Sequence, residues 1–260
     1  MTFFDNAFAP STYGYVIAFS SLGAYCVARF LLTRLRISLE QAFSFDFVFF
    51  FTVVSGILGA RLLFVLYNLP YFLDNPSEIP AIWHGGWVWH GGLIGGAFAL
   101  FVYSRIKKIS FLLLADIIVP CLALAQSIGR WGNYFNQELY GKPTDVSWAL
   151  FIDPAHRVTG FESFAYFHPT FLYESLWSLF LFLTLFLLSI RFVLPRSNTI
   201  QPGLITALYL FFASLGRFGI EFIRIDQVPV FWGLRVPQWI ALALIGVAIA
   251  LLLQRRKKMV

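Results

Sequence analysis

Arg217, Glu221 and Arg224 stand at i, i+4 and i+7, so a helix would carry all three on one face. The residues around them are apolar. Ionisable groups inside a hydrocarbon layer are costly and by default mark a functional site, although a self-satisfied ion pair is the simpler reading of Arg217 with Glu221. Five more ionisable residues interrupt apolar stretches: Arg61, His90, Arg130, His168 and Glu174. Three arginines against two carboxylates, Glu174 and Glu221, leave positive charge over. That excess suits a phosphate, which arginine holds through two parallel N–H bonds.

The densest polar run is Gly129–Gly141, GRWGNYFNQELYG, with Arg130, Asn133, Asn136, Gln137 and Glu138 directly against an apolar stretch. Polar non-helical backbone at membrane depth is tolerated where it lines a cavity or is buried in protein. The segment is therefore expected to leave the helix and form a site wall; the alternative is an interfacial surface loop. His90 sits in WHGGLIGG, where the glycines permit close backbone approach or close helix packing. It reads equally as a base or as a scaffold. His168-Pro169 fits a helix start with proline at the first helical position and the histidine as a cap. Asp46, at an expected helix start, and Asp116 read as structural.

These residues need a frame, and composition supplies it. Of 260 residues 59% are hydrophobic, 31 are Phe and 12% are charged, where soluble domains carry about 25% charge. Mean hydropathy is strongly positive. The class is an all-α integral membrane protein. Crossing a bilayer takes about 20 apolar residues, and seven stretches qualify, near 13–33, 45–67, 89–105, 112–129, 170–192, 203–223 and 236–254. The start has no basic region of a cleavable signal, so the first span is expected to stay.

Basic residues set the orientation. Arg34 and Arg36, then Arg105, Lys107 and Lys108, then Arg191 and Arg196, then Arg255, Arg256, Lys257 and Lys258 fall on one side, which is cytoplasmic. The N-terminus is then outside and the C-terminus inside. The net charge of +6 follows from this topology, not from nucleic-acid binding. Residues 1–260 form a single seven-span domain, with 131–167 as a small external cap between the fourth and fifth spans. Ser147–Ile152 within it reads as a strand or as loop. In this topology Arg61, His90, Arg130, His168, Glu174, Arg217 and Glu221 all reach the external half.

Cys26 and Cys121 lie in apolar runs and read as buried core thiols without a disulfide. No GxSxG, HExxH, P-loop or dinucleotide fingerprint is present, and no cluster has metal spacing. No cofactor or metal is expected.

The sequence resembles the bacterial prolipoprotein diacylglyceryl transferases. The family pattern GRxGNFxNxExxG stands at Gly129–Gly141 with Tyr134 in place of Phe. HGGLIGG stands at His90–Gly96, HPTxLYES at His168–Ser175 and RFxIEFxR at Arg217–Arg224. Tyr13-Gly14 and the GARL element Gly59–Leu62 also match. One position departs: some members carry a Tyr four residues before Arg217, where this chain has Ala213, so Tyr209 or Tyr173 would have to supply a phenol.

The resemblance implies seven spans in the bacterial inner membrane. It also implies transfer of the diacylglyceryl group of phosphatidylglycerol to the lipobox cysteine of a prolipoprotein. Membrane lipid and the lipobox segment are then the partners, and nucleic acid is not. It implies that Arg130 and Arg217 meet the phosphate and that His90 serves as base. Asn133, Asn136 and Glu138 would take the headgroup hydroxyls, Glu221 would orient Arg217, and Tyr13, Arg61 and Gly141 would complete the substrate site. A flippase using the same arginines without chemistry is the competing reading; it would need polar residues in both membrane halves. A structural subunit would leave the charges unexplained.

Overall fold

The computed structural model describes residues 12–34, 39–193 and 202–257. The side chains of 12–13, 39–45, 192–193 and 256–257 lie outside that description, as do Arg36, Arg196 and Lys258 altogether. Among the described residues there are eight α-helices: α1 Thr12–Arg34, α2 Leu39–Tyr67, α3 Leu69–Asp74, α4 Trp89–Lys107, α5 Phe111–Phe135, α6 Thr170–Leu188, α7 Leu204–Ile220 and α8 Val236–Lys257. Every stretch read as apolar is helical, and the short α3 is added. Among the described residues five helices are long and apolar enough to cross a membrane, in α1, α2, α5, α6 and α8; α7 is a shorter apolar helix. Their outward faces are apolar, with Phe50, Leu58, Leu62, Phe180 and Leu187 largely exposed. Such faces match a hydrocarbon solvent, not water.

Two helix ends differ from the sequence expectation. α2 begins at Leu39, so Asp46 lies two turns inside it and not at its start. Leu39, Glu40, Gln41 and Ala42 are all good helix formers and extend the helix backwards. α5 runs on to Phe135, through Pro120. Arg130–Phe135 is therefore helical, and only the part from Asn136 leaves the helix. At membrane depth a helix satisfies its own N–H and C=O groups, which favours its continuation over a loop.

The chain divides into two compact units. One holds α2, α3 and α4 and ends at Leu114; the other holds α1 and everything from Ala115 onward. In the first, α2 and α4 touch through bare backbone. A Cβ on Gly59 would strike the Gly91 carbonyl, one on Gly91 the Gly59 carbonyl, and one on Gly95 the Ser55 carbonyl. This is the small-residue packing of membrane helices, where contact distance replaces the hydrophobic drive. The glycines around His90 thus serve helix packing.

In the second unit α5, α6 and α7 close around Val119, Ala123, Leu181, Leu185, Ile205 and Tyr209. Asp116 of α5 caps α7: its carboxylate accepts from Gly203 N at 2.6 Å, Thr206 N at 2.8 Å and Thr206 Oγ1 at 2.6 Å. Three donors stabilise a buried carboxylate and fill the open N–H groups of the helix start, so the structural reading of Asp116 stands. Cys121 is buried, as expected, but Cys26 is exposed. α1 turns that thiol outward on an otherwise apolar helix, where the sequence pattern alone did not fix the inner face.

Between α5 and α6 a small sheet forms. β1 Leu150–Phe151 pairs antiparallel with β2 Tyr166–Phe167, Leu150 opposite Phe167. Ser147–Ile152 thus holds a strand, though of two residues only. Beneath it Tyr140, Ile152 and Phe167 form a buried core. The Tyr140 hydroxyl donates to His156 O at 2.8 Å and accepts from Val158 N at 2.7 Å. Between α7 and α8 a second hairpin, β3 Val230–Phe231 and β4 Leu234–Arg235, turns at Trp232-Gly233, both with positive φ.

Candidate active site

The second unit gathers its charges at one place. Glu174, in the second turn of α6, is the hub. Its Oε2 meets Arg130 Nε, and its Oε1 lies 2.9 Å from Arg217 NH1 and 3.5 Å from Arg224 NH1. Glu221 is the second centre: one oxygen pairs with Arg217 NH2 and the other lies 2.8 Å from Arg235 Nε. Asp226 joins Arg224 at 2.7 Å and Arg235 at 3.2 Å. Four arginines thus share three carboxylates. Arg130 comes from the last turns of α5, Glu174 from α6, Arg217 from the last turn of α7, and Arg224 and Asp226 from the segment beyond it.

Exposure separates the four arginines. The Arg224 and Arg235 side chains are 4% and 15% exposed, whereas those of Arg130 and Arg217 are 27% and 30% exposed. The first two are enclosed by their partners. The second two are bridged by one carboxylate and still reach the surface. An enclosed arginine braces a structure; an accessible pair with net positive charge around it can turn the N–H donors its carboxylates leave over to an anion.

Burial raises the pKa of the Asp226 carboxyl, but the hydrogen bond and charge of Arg224, with the charges of Arg235 and Arg217, outweigh it. Asp226 is held below the ordinary carboxylate range and stays ionised through neutral pH, as its two partners require.

The polar segment lies beside Arg130. Asn133 is buried: its Oδ1 accepts from Arg130 NH1 at a long 3.4 Å and its Nδ2 donates to Glu138 Oε1 at 2.7 Å. Asn136 and Glu138 are exposed, and Asn136 Nδ2 reaches the same Glu138 oxygen at 3.4 Å. Gln137 and Leu139 hold positive φ, an uncommon state for residues other than glycine. The tight turn aims Glu138 back at Asn133. Asn133, expected on the substrate, links Arg130 and Glu138.

Gly141 is a close-approach point. Its N–H donates to His168 O at 2.9 Å, and the adjacent Lys142 N–H donates to Ile223 O at 2.9 Å. A Cβ there would sit 2.7 Å from Ile223 Cγ2 and 2.9 Å from His168 Cβ. It fastens the polar segment to the start of α6 and the end of α7. His168 Nδ1 lies 3.1 Å from the Tyr173 hydroxyl, which also accepts from Trp148 Nε1 at 3.0 Å. Pro169 is the N-cap and Thr170 opens the helix, one residue later than the sequence expectation. Tyr209, the other candidate phenol, is buried and donates to Gln126 Oε1 at 3.0 Å.

Arg61 and His90 belong to the first unit. Arg61 is buried and gives its guanidinium to backbone carbonyls: Nε to Ile79 O at 3.1 Å, NH2 to Glu78 O, NH1 to Gly85 O and, at 3.4 Å, to Gly86 O. Expected at the substrate, it staples the connection 78–86 to α2. His90 is exposed in the first turn of α4, with its ring edge-on to Trp89. Tyr13 lies in α1, its side chain outside the described residues. Among the described residues no group of His, Cys, Asp or Glu could hold a metal ion.

Sequence reasoning passed over Glu174 as a hub, and Asp226 and Arg235 entirely. Glu174 carried a signal, an acid in an apolar helix. Arg235 carried none, since fourteen positions separate it from Glu221 and a hairpin brings it back.

The comparisons with known proteins meet this geometry. A family described as prolipoprotein diacylglyceryl transferase matches residues 2–254. The chain belongs to that family. It is 44% identical over 217 residues to the phosphatidylglycerol–prolipoprotein diacylglyceryl transferase of Fervidobacterium nodosum, covering 83% of this chain and 71% of that protein. It is 40% identical over 240 residues to the protein of the same name from Acaryochloris marina, covering 92% and 84%. Against that from Thermotoga maritima it is 40% identical over 220 residues, covering 84% and 72%.

Proposed function

We propose that this protein transfers the diacylglyceryl group of phosphatidylglycerol to the thiol of a prolipoprotein cysteine, the first step of bacterial lipoprotein maturation. The observation that carries the site assignment is the pair Arg130 and Arg217, bridged by Glu174 and accessible while the other two arginines are enclosed. Membership of the family supports the reaction; the pair supports where it happens.

In the reaction the sulfur attacks the glyceryl carbon that bears the phosphate. The thiol proton goes to a base, a C–S bond forms, the bond between that carbon and the phosphate-ester oxygen breaks, and the electron pair leaves with the oxygen, which stays on phosphorus. The products are a thioether and glycerol phosphate. Charge grows on the leaving phosphate as that bond breaks, and fixed cations aimed at it lower the barrier. Arg130 and Arg217 fill that role. Glu174 and Glu221 hold the two guanidinium groups in place beforehand, so little reorganisation remains for the reaction itself.

A free thiol is only a few per cent thiolate at pH 7, so the sulfur needs a base. His90 is our candidate, on its chemistry and its motif. Asn136 and Glu138, exposed beside the buried Asn133, bind the glycerol hydroxyls of the headgroup. Gly141 serves the same site by holding the segment in register. Arg61 serves by fixing the connection after α2.

We read the fold as seven spans in the inner membrane, α4 and α7 joining α1, α2, α5, α6 and α8. The N-terminus lies outside and the C-terminus in the cytoplasm. The sheet between α5 and α6 forms the external cap, and the site faces the external half. The exposed apolar helix faces and the basic helix ends support this arrangement.

The test uses purified protein, phosphatidylglycerol vesicles and a lipobox peptide. Mass spectrometry is expected to find the peptide heavier by one diacylglyceryl group, at cysteine and not at a serine replacing it. Lipid movement between leaflets without any peptide adduct would establish the flippase reading instead.

A further inference from the structure

The β3–β4 hairpin carries a residue that the catalytic reading leaves unused. Arg235 is the last residue of β4. Its Nε stands 2.8 Å from Glu221 Oε2, and Glu221 is fully buried. The other Glu221 oxygen serves Arg217, with Arg224 Nε more distant at 4.0 Å. Among the described residues Arg235 is the one cation on Oε2. It is itself tightly fixed: NH1 donates to Arg224 O, NH2 donates to Asp226 O at 2.6 Å, and its backbone N–H donates to Gln238 Oε1 at 2.9 Å. Gln238 is buried in the first turns of α8. The hairpin turn at Trp232-Gly233 sets the register that pairs Arg235 with Val230.

A buried carboxylate with one oxygen stripped of its cation is unstable, and it turns toward whatever cation remains. The geometry points to Arg235 as a positioning residue for the transfer reaction. It occupies the far oxygen of Glu221, so that the near oxygen stays on Arg217 and fixes the angle at which that guanidinium meets the phosphate. Without Arg235, Glu221 swings toward Arg224 and Arg217 loses one of its two supports. Arg235 touches neither the lipid nor the thiol. The inference rests on the assignment of Arg217 to the phosphate.

A fixed guanidinium matters most where charge peaks, in the transition state, so its disturbance lowers kcat more than it raises KM. The experiment compares wild type, Arg235→Gln and Arg235→Lys in the vesicle assay, per folded molecule, with melting temperatures alongside. Arg235→Gln is expected to lose about tenfold or more in kcat, with KM for the peptide within about twofold. Arg235→Lys keeps a cation for Glu221 but loses both carbonyl bonds. It is expected to melt lower than wild type and yet keep kcat within about threefold. A purely structural role would lower both melting temperatures and leave kcat per folded molecule unchanged in both variants; that result overturns the proposal. So does an Arg235→Lys kcat as low as that of Arg235→Gln. Should Arg235→Gln yield no folded protein, Arg235→Met takes its place under the same criteria, and a tenfold loss of kcat in Arg235→Lys still counts against the proposal. A wild type without transfer would instead refute the reaction, and would be seen before any variant is made.

Discussion

Arg61 and Arg217 are both arginines on apolar helices, and their surroundings are opposite. Arg61 is buried, its nitrogens taken by the carbonyls of Glu78, Ile79, Gly85 and Gly86 and its Cζ lying 5.4 Å and 5.7 Å from the centroids of the Phe72 and Phe64 rings. Arg217 is 30% exposed and held by two carboxylates that it shares with other arginines. Neutral carbonyls and ring faces satisfy a guanidinium geometrically and leave its charge in place. Shared carboxylates orient a guanidinium while leaving the group as a whole positive. Depth in the membrane therefore says only that an arginine needs a reason; its partners say which reason.

The largest expected effects fall on the accessible pair. Arg130→Ala and Arg217→Ala should each lose at least about 10²–10³-fold in kcat/KM, the range for removing one group aimed at developing charge. Membrane insertion and expression should be unaltered. Full transfer by either variant, measured by peptide mass, would collapse the contrast with Arg61. Arg217→Lys sharpens it. Lysine keeps the charge but not the fork, which now has to meet both Glu174 and Glu221 and still reach phosphate. We expect a loss of about tenfold, between wild type and Arg217→Ala; a lysine variant as active as wild type would mean that charge alone suffices.

Arg61→Ala probes the other side. Removing the guanidinium strands several carbonyls, at about 1–3 kcal/mol for each buried polar group left unpaired. The expected result is a clearly lower melting temperature, with transfer per folded molecule within about twofold of wild type. A specific loss of kcat at unchanged stability would place Arg61 at the substrate, as its motif suggests.

Much of this was legible in the chain itself. Helix positions followed from apolar run length, because a bilayer leaves few other options. Arg130, Arg217 and Glu221 stood out because charge is rare in such runs. The polar segment Gly129–Gly141 stood out too, but its first half proved helical, since polarity marks a site without fixing its backbone. The roles within the site were harder. Asn133 as a buried link and Glu174 as a hub depend on which side chains meet across helices, and spacing along one helix is silent about that. Arg235 was out of reach altogether, because the hairpin that returns it to Glu221 is short and has no long apolar pattern.

The smallest expected effect concerns sulfur. Cys121 is buried among α5 residues with its thiol against Ile117 O at 3.3 Å, and Cys26 faces outward on α1. Neither stands in the arginine network. If the nucleophile belongs to the prolipoprotein, the enzyme needs no thiol of its own. Cys26→Ala should leave transfer unchanged, and Cys121→Ala should do the same after a modest loss of stability of about 1 kcal/mol for the smaller core side chain. The double variant, tested with a lipobox peptide and by mass spectrometry of the protein itself, separates two chemistries. Direct attack leaves no lipid on the enzyme at any time and full activity in the double variant. A ping-pong route through an enzyme thiol would show a transient diacylglyceryl adduct on the wild-type chain and none on the variant. That outcome would move the reacting centre away from Arg130 and Arg217, and with it the distinction between an arginine that braces and an arginine that acts.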